Sequence, residues 1–175
     1  IINNFLGYWY SLGEWCSPGR HDCPNHPVVN TFYYYYNSLL MTQIAELLGF
    51  DDDASNFRAL SDTIKQEFNK KFFNPETALY GTDETYQTYQ LLALKGDMVP
   101  EGYRDKVVET IIDDIKNRDY HLNTGIIGTK YLWPFLVNEG FNDVAFRIAT
   151  QTTYPGYGYW IENGFTTLPE EWAGK

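Results

Sequence analysis

Three stretches of this chain set carboxylates among Trp, Tyr and Gly, and they are where it could do chemistry. The first is Gly13-Glu14-Trp15-Cys16-Ser17-Pro18. The second is Asp119-Tyr120-His121-Leu122-Asn123-Thr124-Gly125. The third runs from Tyr154-Pro155-Gly156-Tyr157-Gly158-Tyr159-Trp160 to Thr166-Thr167-Leu168-Pro169-Glu170-Glu171-Trp172. Asp/Glu pairs working as acid and base around a sugar ring are the means of glycoside hydrolysis. Tyr and Trp suit the same kind of ligand, because each couples a flat apolar face to a polar tip. The plain alternative is that these loop aromatics pack on Pro and Gly. Other chemistries lack their signatures. There is no Gly-x-Ser-x-Gly elbow, no phosphate-cradling Gly loop and no His-Glu-x-x-His helix in the sequence.

Charge narrows the partners. The chain carries 13 Lys and Arg against 23 Asp and Glu, a net charge of −10. That surface repels phosphate backbones, so neither nucleic acid nor an anionic membrane is expected as a partner. A neutral sugar meets no such penalty. No apolar run approaches the roughly 18 residues of a membrane span. No Met opens the chain, and Ile1 is read as internal to a longer product. The compartment is not determined by sequence, with a periplasmic or extracellular setting preferred to a cytoplasmic one. Aromatics make up 18% of residues; a soluble core can use many of them, and a binding cleft for a ligand with apolar faces and hydroxyl edges could use the rest.

Two metal readings can be drawn and both are set aside. Cys16, His21, Cys23 and His26 form a tetrad on paper, but their spacing matches no zinc pattern. Free thiols or one loop disulfide fit the cysteines better. Asp51, Asp52 and Asp53 lack the calcium-loop spacing and are read as helix-capping acids. The expectation is therefore no metal and no cofactor.

The elements that must hold these loops are helices. Residues Ile1 to Pro27 read as loop. Phe32, Tyr36, Leu39, Leu40, Gln43, Ile44, Leu47 and Leu48 then fall mostly at three and four spacings, with Gly49 as the stop. A second helix, started by Asp51–Asp53, carries Phe57, Leu60, Ile64 and Phe68. A turn-rich excursion with a small hairpin near Leu79-Tyr80 follows, then a short helix from about Thr85 to Lys95. Pro100-Glu101 opens another, with Val107, Val108, Ile111, Ile112 and Ile115. Asn123 or Thr124 caps the next, and Pro134 is expected to kink or break it. Asn142 caps the last, and after Thr152 the chain reads as loop. Gly49-Phe50-Asp51-Asp52-Asp53-Ala54 and Gly140-Phe141-Asn142-Asp143-Val144-Ala145 echo each other as hairpin joints. About six helices with short connections, and almost no strand signal, predict an all-α fold of antiparallel hairpins.

Four blocks carry a resemblance. Glu14-Trp15-Cys16, followed by Thr31-Phe32-Tyr33-Tyr34-Tyr35, resembles the Gly-Asp-Trp then Thr-Ala-Tyr-Tyr-Tyr stretch of bacterial α-L-rhamnosidases, glycoside hydrolase family 78. His121-Leu122-Asn123-Thr124-Gly125-Ile126-Ile127-Gly128-Thr129 is similar to that family's His-Leu-x-Thr-Gly-Phe-x-Gly-Thr. Tyr154 to Gly164 resembles its Tyr-Pro-x-Trp-Gly-Tyr-x-Ile-x-x-Gly. Thr166 to Trp172 resembles its Thr-Thr-x-Trp-Glu-x-Trp, with Pro169 in place of the usual Trp and Ala173 where Asp is common. The blocks stand in the family's order and span nearly the whole chain.

The resemblance implies part of an (α/α)6 barrel, with residues 1–175 a single incomplete piece of the catalytic domain. It implies inverting hydrolysis of terminal α-L-rhamnosides, with a rhamnose-containing glycoside or polysaccharide and the remaining segments of the same barrel as partners. By the residues alone Glu162, Glu170 and Glu171 stand even as general base; the resemblance selects Glu170 and puts the general acid outside these residues. Trp15, Trp160 and Trp172 are expected to line the sugar site. Glu14 is expected either to bind sugar hydroxyls or to cap its loop, and His121 either to contact a hydroxyl or to brace its loop. The 175 residues alone are expected to lack activity. Two other readings stand beside this one: another glycosidase or lyase on a related helical barrel, and a non-catalytic helical sugar-binding or interaction protein.

Overall fold

The computed structural model describes residues 13–19, 26–81 and 87–174. Among them lie seven helices and one small hairpin: α1 (His26–Leu48), α2 (Asp51–Phe72), β1 (Phe73–Asn74), β2 (Leu79–Tyr80), α3 (Gln87–Lys95), α4 (Arg104–Asn117), α5 (Ile126–Asn138), α6 (Asn142–Ala149) and α7 (Tyr157–Glu162). The fold is all-α, with β1 and β2 pairing only through Phe73–Tyr80 and Asn74–Leu79. No described helix is long and apolar enough to cross a membrane.

The two echoing segments form the same joint. Gly49 and Gly140 both adopt left-handed φ, +76° and +82°, which Gly reaches without a Cβ penalty. Phe50 N–H then donates to Ala45 O at 2.9 Å, and Phe141 N–H to Leu136 O at 2.8 Å. These bonds close a Schellman turn over the orphan carbonyls of the finished helix. Each Phe carbonyl then accepts the first bond of the next helix, from Ala54 at 2.9 Å and Ala145 at 3.0 Å. A joint this short folds α1 on α2 and α5 on α6 as antiparallel neighbours.

Several local expectations need correction. Helix α1 begins at His26, before the loop boundary placed at Pro27; Pro is tolerated in a first turn because its missing N–H would have no helical partner there. The N-caps of α2 and α6 are Phe50 and Phe141, with no side-chain cap bond. Asp51–Asp53 and Asn142 stand inside the first turns, where the acids act on the helix dipole. Helix α4 starts at Arg104, after a turn at the expected Pro100-Glu101 start. Helix α5 continues through Pro134 to Asn138; Pro134 is exposed, so the carbonyl it leaves unpaired can meet water. Helix α7 lies in a stretch read as loop, its six residues being too few to show a period. The readings on His21, Cys23 and Thr85 fall outside the described residues.

Helices α1, α3 and α5 pack side by side, each against its hairpin partner α2, α4 or α6. One core joins Phe32 and Tyr35 of α1 to Ile64, Phe68 and Phe72 of α2, and to Tyr80 and Leu92. A second joins Leu91 of α3 to Ile111 and Ile115 of α4, Leu132 and Leu136 of α5, and Trp160 and Trp172. Leu94 and Tyr131 touch both cores. The buried Gln90 of α3 ties in the hairpin: its Oε1 accepts from Tyr80 N–H and its Nε2 donates to Tyr80 O, both at 3.0 Å.

Candidate active site

The loops that lead into α1, α5 and α7 meet at one end of this array. The 118–125 loop follows α4 and carries two consecutive non-Gly residues at positive φ, Asp119 (52°) and Tyr120 (60°). Such backbone is strained and persists only where its surroundings hold it. Tyr120 N–H donates to Ile115 O at 2.8 Å, Gln151 Nε2 to Asp119 O at 2.6 Å, and the Arg147 guanidinium sits 3.7 Å over the Tyr120 ring. His121 braces the same loop. Its Nδ1 lies 2.7 Å from Arg118 O and its Nε2 2.8 Å from Thr153 Oγ1. A carbonyl only accepts, so Nδ1 carries a proton. Gln87 of α3 is buried and holds the next turn, accepting from Asn123 N–H at 2.9 Å while donating to Asp114.

The 13–19 loop is fastened to α5. Trp15 O accepts from Ile126 N–H at 2.9 Å. Glu14, fully buried, receives the Gly128 N–H on both carboxyl oxygens at 3.1 Å. The N-cap of α5 is Gly125, with no side-chain cap bond of its own, so a residue over a hundred positions away satisfies an orphan N–H of this helix. The approach is close. A Cβ on Gly125 would lie 1.9 Å from Trp15 O, and one on Gly128 2.0 Å from Thr88 Oγ1. Burial pushes the Glu14 carboxyl up to about 7, against the N–H groups of Gly128, Gly125 and Ile127 and the Thr88 hydroxyl, which draw it down.

A strap after α7 closes over this junction. Trp160 and Trp172 stack with centroids 4.7 Å apart and planes 13° apart, each 7% exposed. Trp160 Nε1 donates to Trp172 O at 3.0 Å, and Trp172 Nε1 donates to Thr124 O at 2.9 Å. Gly174 packs directly on the Phe165 ring. The 13–19 loop reaches the α6–α7 connection as well, Gly19 N–H donating to Tyr154 Oη at 2.8 Å; the Tyr154–Pro155 bond there is cis.

The structure thus brings together the four segments that carry Glu14 and Trp15, His121, Trp160, and Glu170 with Trp172, held by direct bonds. Their settings differ. Glu170 is exposed and Trp15 half-buried. Glu14, Trp160 and Trp172 are buried, and His121 has both ring nitrogens engaged by protein atoms. Glu171 lines a cavity of about 80 Å³ with Ser17, Tyr154 and Trp172, and Glu162 ends α7. A larger groove of about 510 Å³, lined by Tyr36, Lys95, Arg104, Tyr131 and Glu139, lies toward the opposite ends of α3 and α5. Sequence reasoning missed Gln87, Thr88, Gly128 and Thr153 as supports. The polar pair Gln87-Thr88 opening a short helix that is mostly buried was the available signal for the first two. Among the described residues no group of three or more His, Cys, Asp or Glu side chains is placed to hold a metal ion.

A family model described as the bacterial alpha-L-rhamnosidase 6 hairpin glycosidase domain matches residues 3–175. An alpha-L-rhamnosidase of Formosa agariphila is 28% identical over 174 residues, covering 97% of this chain and 19% of that relative. The structure of alpha-L-rhamnosidase from Dictyoglumus thermophilum superposes with a TM-score of 0.84 at 39% identity, covering 93% of this chain and 19% of that one. The Streptomyces avermitilis alpha-L-rhamnosidase complexed with L-rhamnose does so with a TM-score of 0.78 at 30% identity, over 91% of this chain and 15% of that one. The chain therefore spans less than a fifth of the length of the relatives it matches.

Proposed function

From the premise that this chain belongs to the bacterial α-L-rhamnosidase six-hairpin glycosidase family, we propose that it supplies one face of the active site of an enzyme that hydrolyses terminal α-L-rhamnosides with inversion. Residues 1–175 are one part of that catalytic barrel, and the other hairpins of the barrel are its partners. The exposed Leu47, Leu48 and Phe50 at the α1–α2 joint are apolar surface suited to such neighbours.

Glu170 is the general base. It removes a proton from a water whose oxygen attacks the anomeric carbon, while the bond from that carbon to the glycosidic oxygen breaks. A general acid outside these residues protonates the departing oxygen, which leaves as an alcohol, and the rhamnose emerges with its anomeric configuration reversed. A water must fit between base and sugar, so the two carboxyl groups are expected roughly 6.5–9.5 Å apart. The observation that carries this assignment is the pinned strap. The Trp172 indole bonds Thr124 O, which sets the exposed Glu170 two residues away at the end where Trp15 and His121 also lie. A base has to be within reach of water, and Glu170 is exposed. Trp15, half-buried on the adjoining loop, offers its indole to the apolar face of the sugar. His121, Trp160 and Trp172 serve the site by holding its loops.

In the full-length enzyme, Glu170→Gln should lower turnover of an aryl α-L-rhamnoside about 10²–10⁴-fold and leave rhamnose binding within a few-fold, because the amide keeps the shape and loses the basicity. Glu162→Gln should stay near wild type. Near-normal turnover by Glu170→Gln would overturn the assignment. Glu171 would then be the next to test, since it is the other strap carboxylate and lines the cavity against Ser17.

A further inference from the structure

The feature that the hydrolytic reading leaves unused is the buried carboxyl group of Glu14. We infer that Glu14 is a positioning residue: it clips the 13–19 loop onto the open N-terminus of α5 and so sets where the Trp15 indole stands in the site. The inference rests on the site reading above, which makes Trp15 a sugar contact.

Three observations carry it. The first is reach. Glu14 is adjacent to Trp15, and its two carboxyl oxygens take the Gly128 N–H at 3.1 Å each, one turn into a helix that has no side-chain cap of its own. The second is fit. Gly125 and Gly128 are the residues that permit the approach, since a Cβ on Gly125 would come within 2.6 Å of Glu14 Oε1 as well as 1.9 Å of Trp15 O. The third is seclusion. Glu14 is fully buried, so its carboxyl group contacts the protein and leaves the sugar to Trp15. The loop residue after Trp15, Cys16, is held at a φ of 58°, a left-handed conformation that a non-Gly residue keeps only when both sides are fixed.

The clip also has a pH sense. Thr88 of α3 lies beside Glu14, and the titratable groups facing it are the Tyr33 phenol of α1 and, against that phenol at 3.5 Å, Tyr131 of α5. Burial holds the carboxyl group at about 7 in the closed clip, above its ordinary value in water. By linkage, ionisation favours the state in which the carboxylate reaches solvent. Raising the pH from about 5 to about 7 therefore loosens the clip, and lowering it tightens the clip. A glutamine at this position is neutral at every pH, accepts the same N–H through Oε1 and can donate to Thr88.

The test compares Glu14→Ala and Glu14→Gln in the full-length enzyme by amide hydrogen exchange and by kinetics. Glu14→Ala should lose exchange protection in segments 13–19 and 125–130 and raise KM for an aryl α-L-rhamnoside about tenfold, with kcat changed less than threefold; such a split marks lost substrate binding with intact chemistry. Glu14→Gln should restore both and show none of the loss of protection expected of wild type as pH rises from about 5 to about 7. Unchanged protection in Glu14→Ala would overturn the clip. Lost protection with an unchanged KM would overturn the positioning role and leave the hydrolytic reading standing. Absence of rhamnoside hydrolysis by wild type would overturn the hydrolytic reading, and with it the link to the sugar, while exchange would still decide the clip. If Glu14→Ala fails to fold, Glu14→Leu, which fills the same space without an acceptor for Gly128 N–H, decides it: protection in 125–130 equal to wild type would overturn the clip.

Discussion

The strap that presents Glu170 hangs on one pair of indoles, and removing them stepwise measures how firmly. Trp172→Phe keeps a ring against Trp160 but deletes the N–H that reaches Thr124 O at 2.9 Å. Thr124 is fully buried, so its carbonyl loses that donor where water cannot easily replace it. An abandoned buried acceptor costs about 1–3 kcal/mol. Trp172→Ala also removes the ring from the second core, and large-to-small changes of this kind cost about 3–5 kcal/mol. The stack itself is separable by a double-mutant cycle with Trp160→Ala. Trp160 donates to the backbone oxygen of residue 172, an acceptor that survives Trp172→Ala, so the coupling in the cycle reports chiefly ring against ring. Stacked aromatics contribute about 0.5–1.5 kcal/mol beyond area, and the cycle should return that value. Denaturant unfolding followed by helical circular dichroism gives the stabilities, and limited proteolysis within 163–174 should accelerate in the order wild type, Trp172→Phe, Trp172→Ala. A Trp172→Phe protein as stable and protease-resistant as wild type would refute the pinning argument. Strictly additive Ala variants would refute the stack.

Two further changes probe other joints. Gly125 has an ordinary φ of −92°, so Gly125→Ala carries no backbone strain and isolates the steric contact with Trp15 O; it should destabilise by about 1–3 kcal/mol, read as a lower unfolding midpoint, and an unchanged midpoint would contradict the close approach. Arg104 donates two bonds to Glu139, at 3.0 and 2.5 Å, and this holds the Glu139 carboxyl below its ordinary value. A lowered carboxyl contributes stability above its unfolded value and loses it as pH falls through the folded one. Arg104→Ala should therefore cost less than about 1 kcal/mol at pH 7, because Arg104 is half-exposed and solvent screens the pair, and should cost nothing at a pH low enough to protonate Glu139; equal costs at both would count against the pair.

The hairpin architecture was legible in the residues because its causes are local. Apolar periodicity marked α1, α2 and α4, and the two Gly-Phe joints read alike in sequence and close alike in space, since a left-handed Gly and a following apolar residue are all that a Schellman turn requires. Cap residues were less legible. Asp51 and Asn142 are good cap types, yet the chain enters each helix through a Phe carbonyl, because the Schellman turn passes the chain straight into the next helix and a side-chain cap would add only about 0.5–2 kcal/mol. Helix α7 was invisible for a different reason: what stabilises it is Trp160 in a core built by other segments.

The sequence by itself determined the kinds of residue at the site and the order of the blocks that carry them, because residue type is a one-dimensional fact. The tertiary structure decided which of them face outward. It buried Glu14 and left Glu170 exposed, although both are glutamates within two residues of a tryptophan in Gly- and Pro-containing loops. The physical reason is distance along the chain. The groups that satisfy Glu14 are the N–H groups at the start of α5, over a hundred residues away, and the carbonyl that pins the Glu170 strap is Thr124 O, nearly fifty residues back from Trp172. Neither bond leaves a mark on local periodicity. Both exist only once α5 has been set against α3, where Gly128 admits Thr88 and Gly125 admits the Trp15 carbonyl.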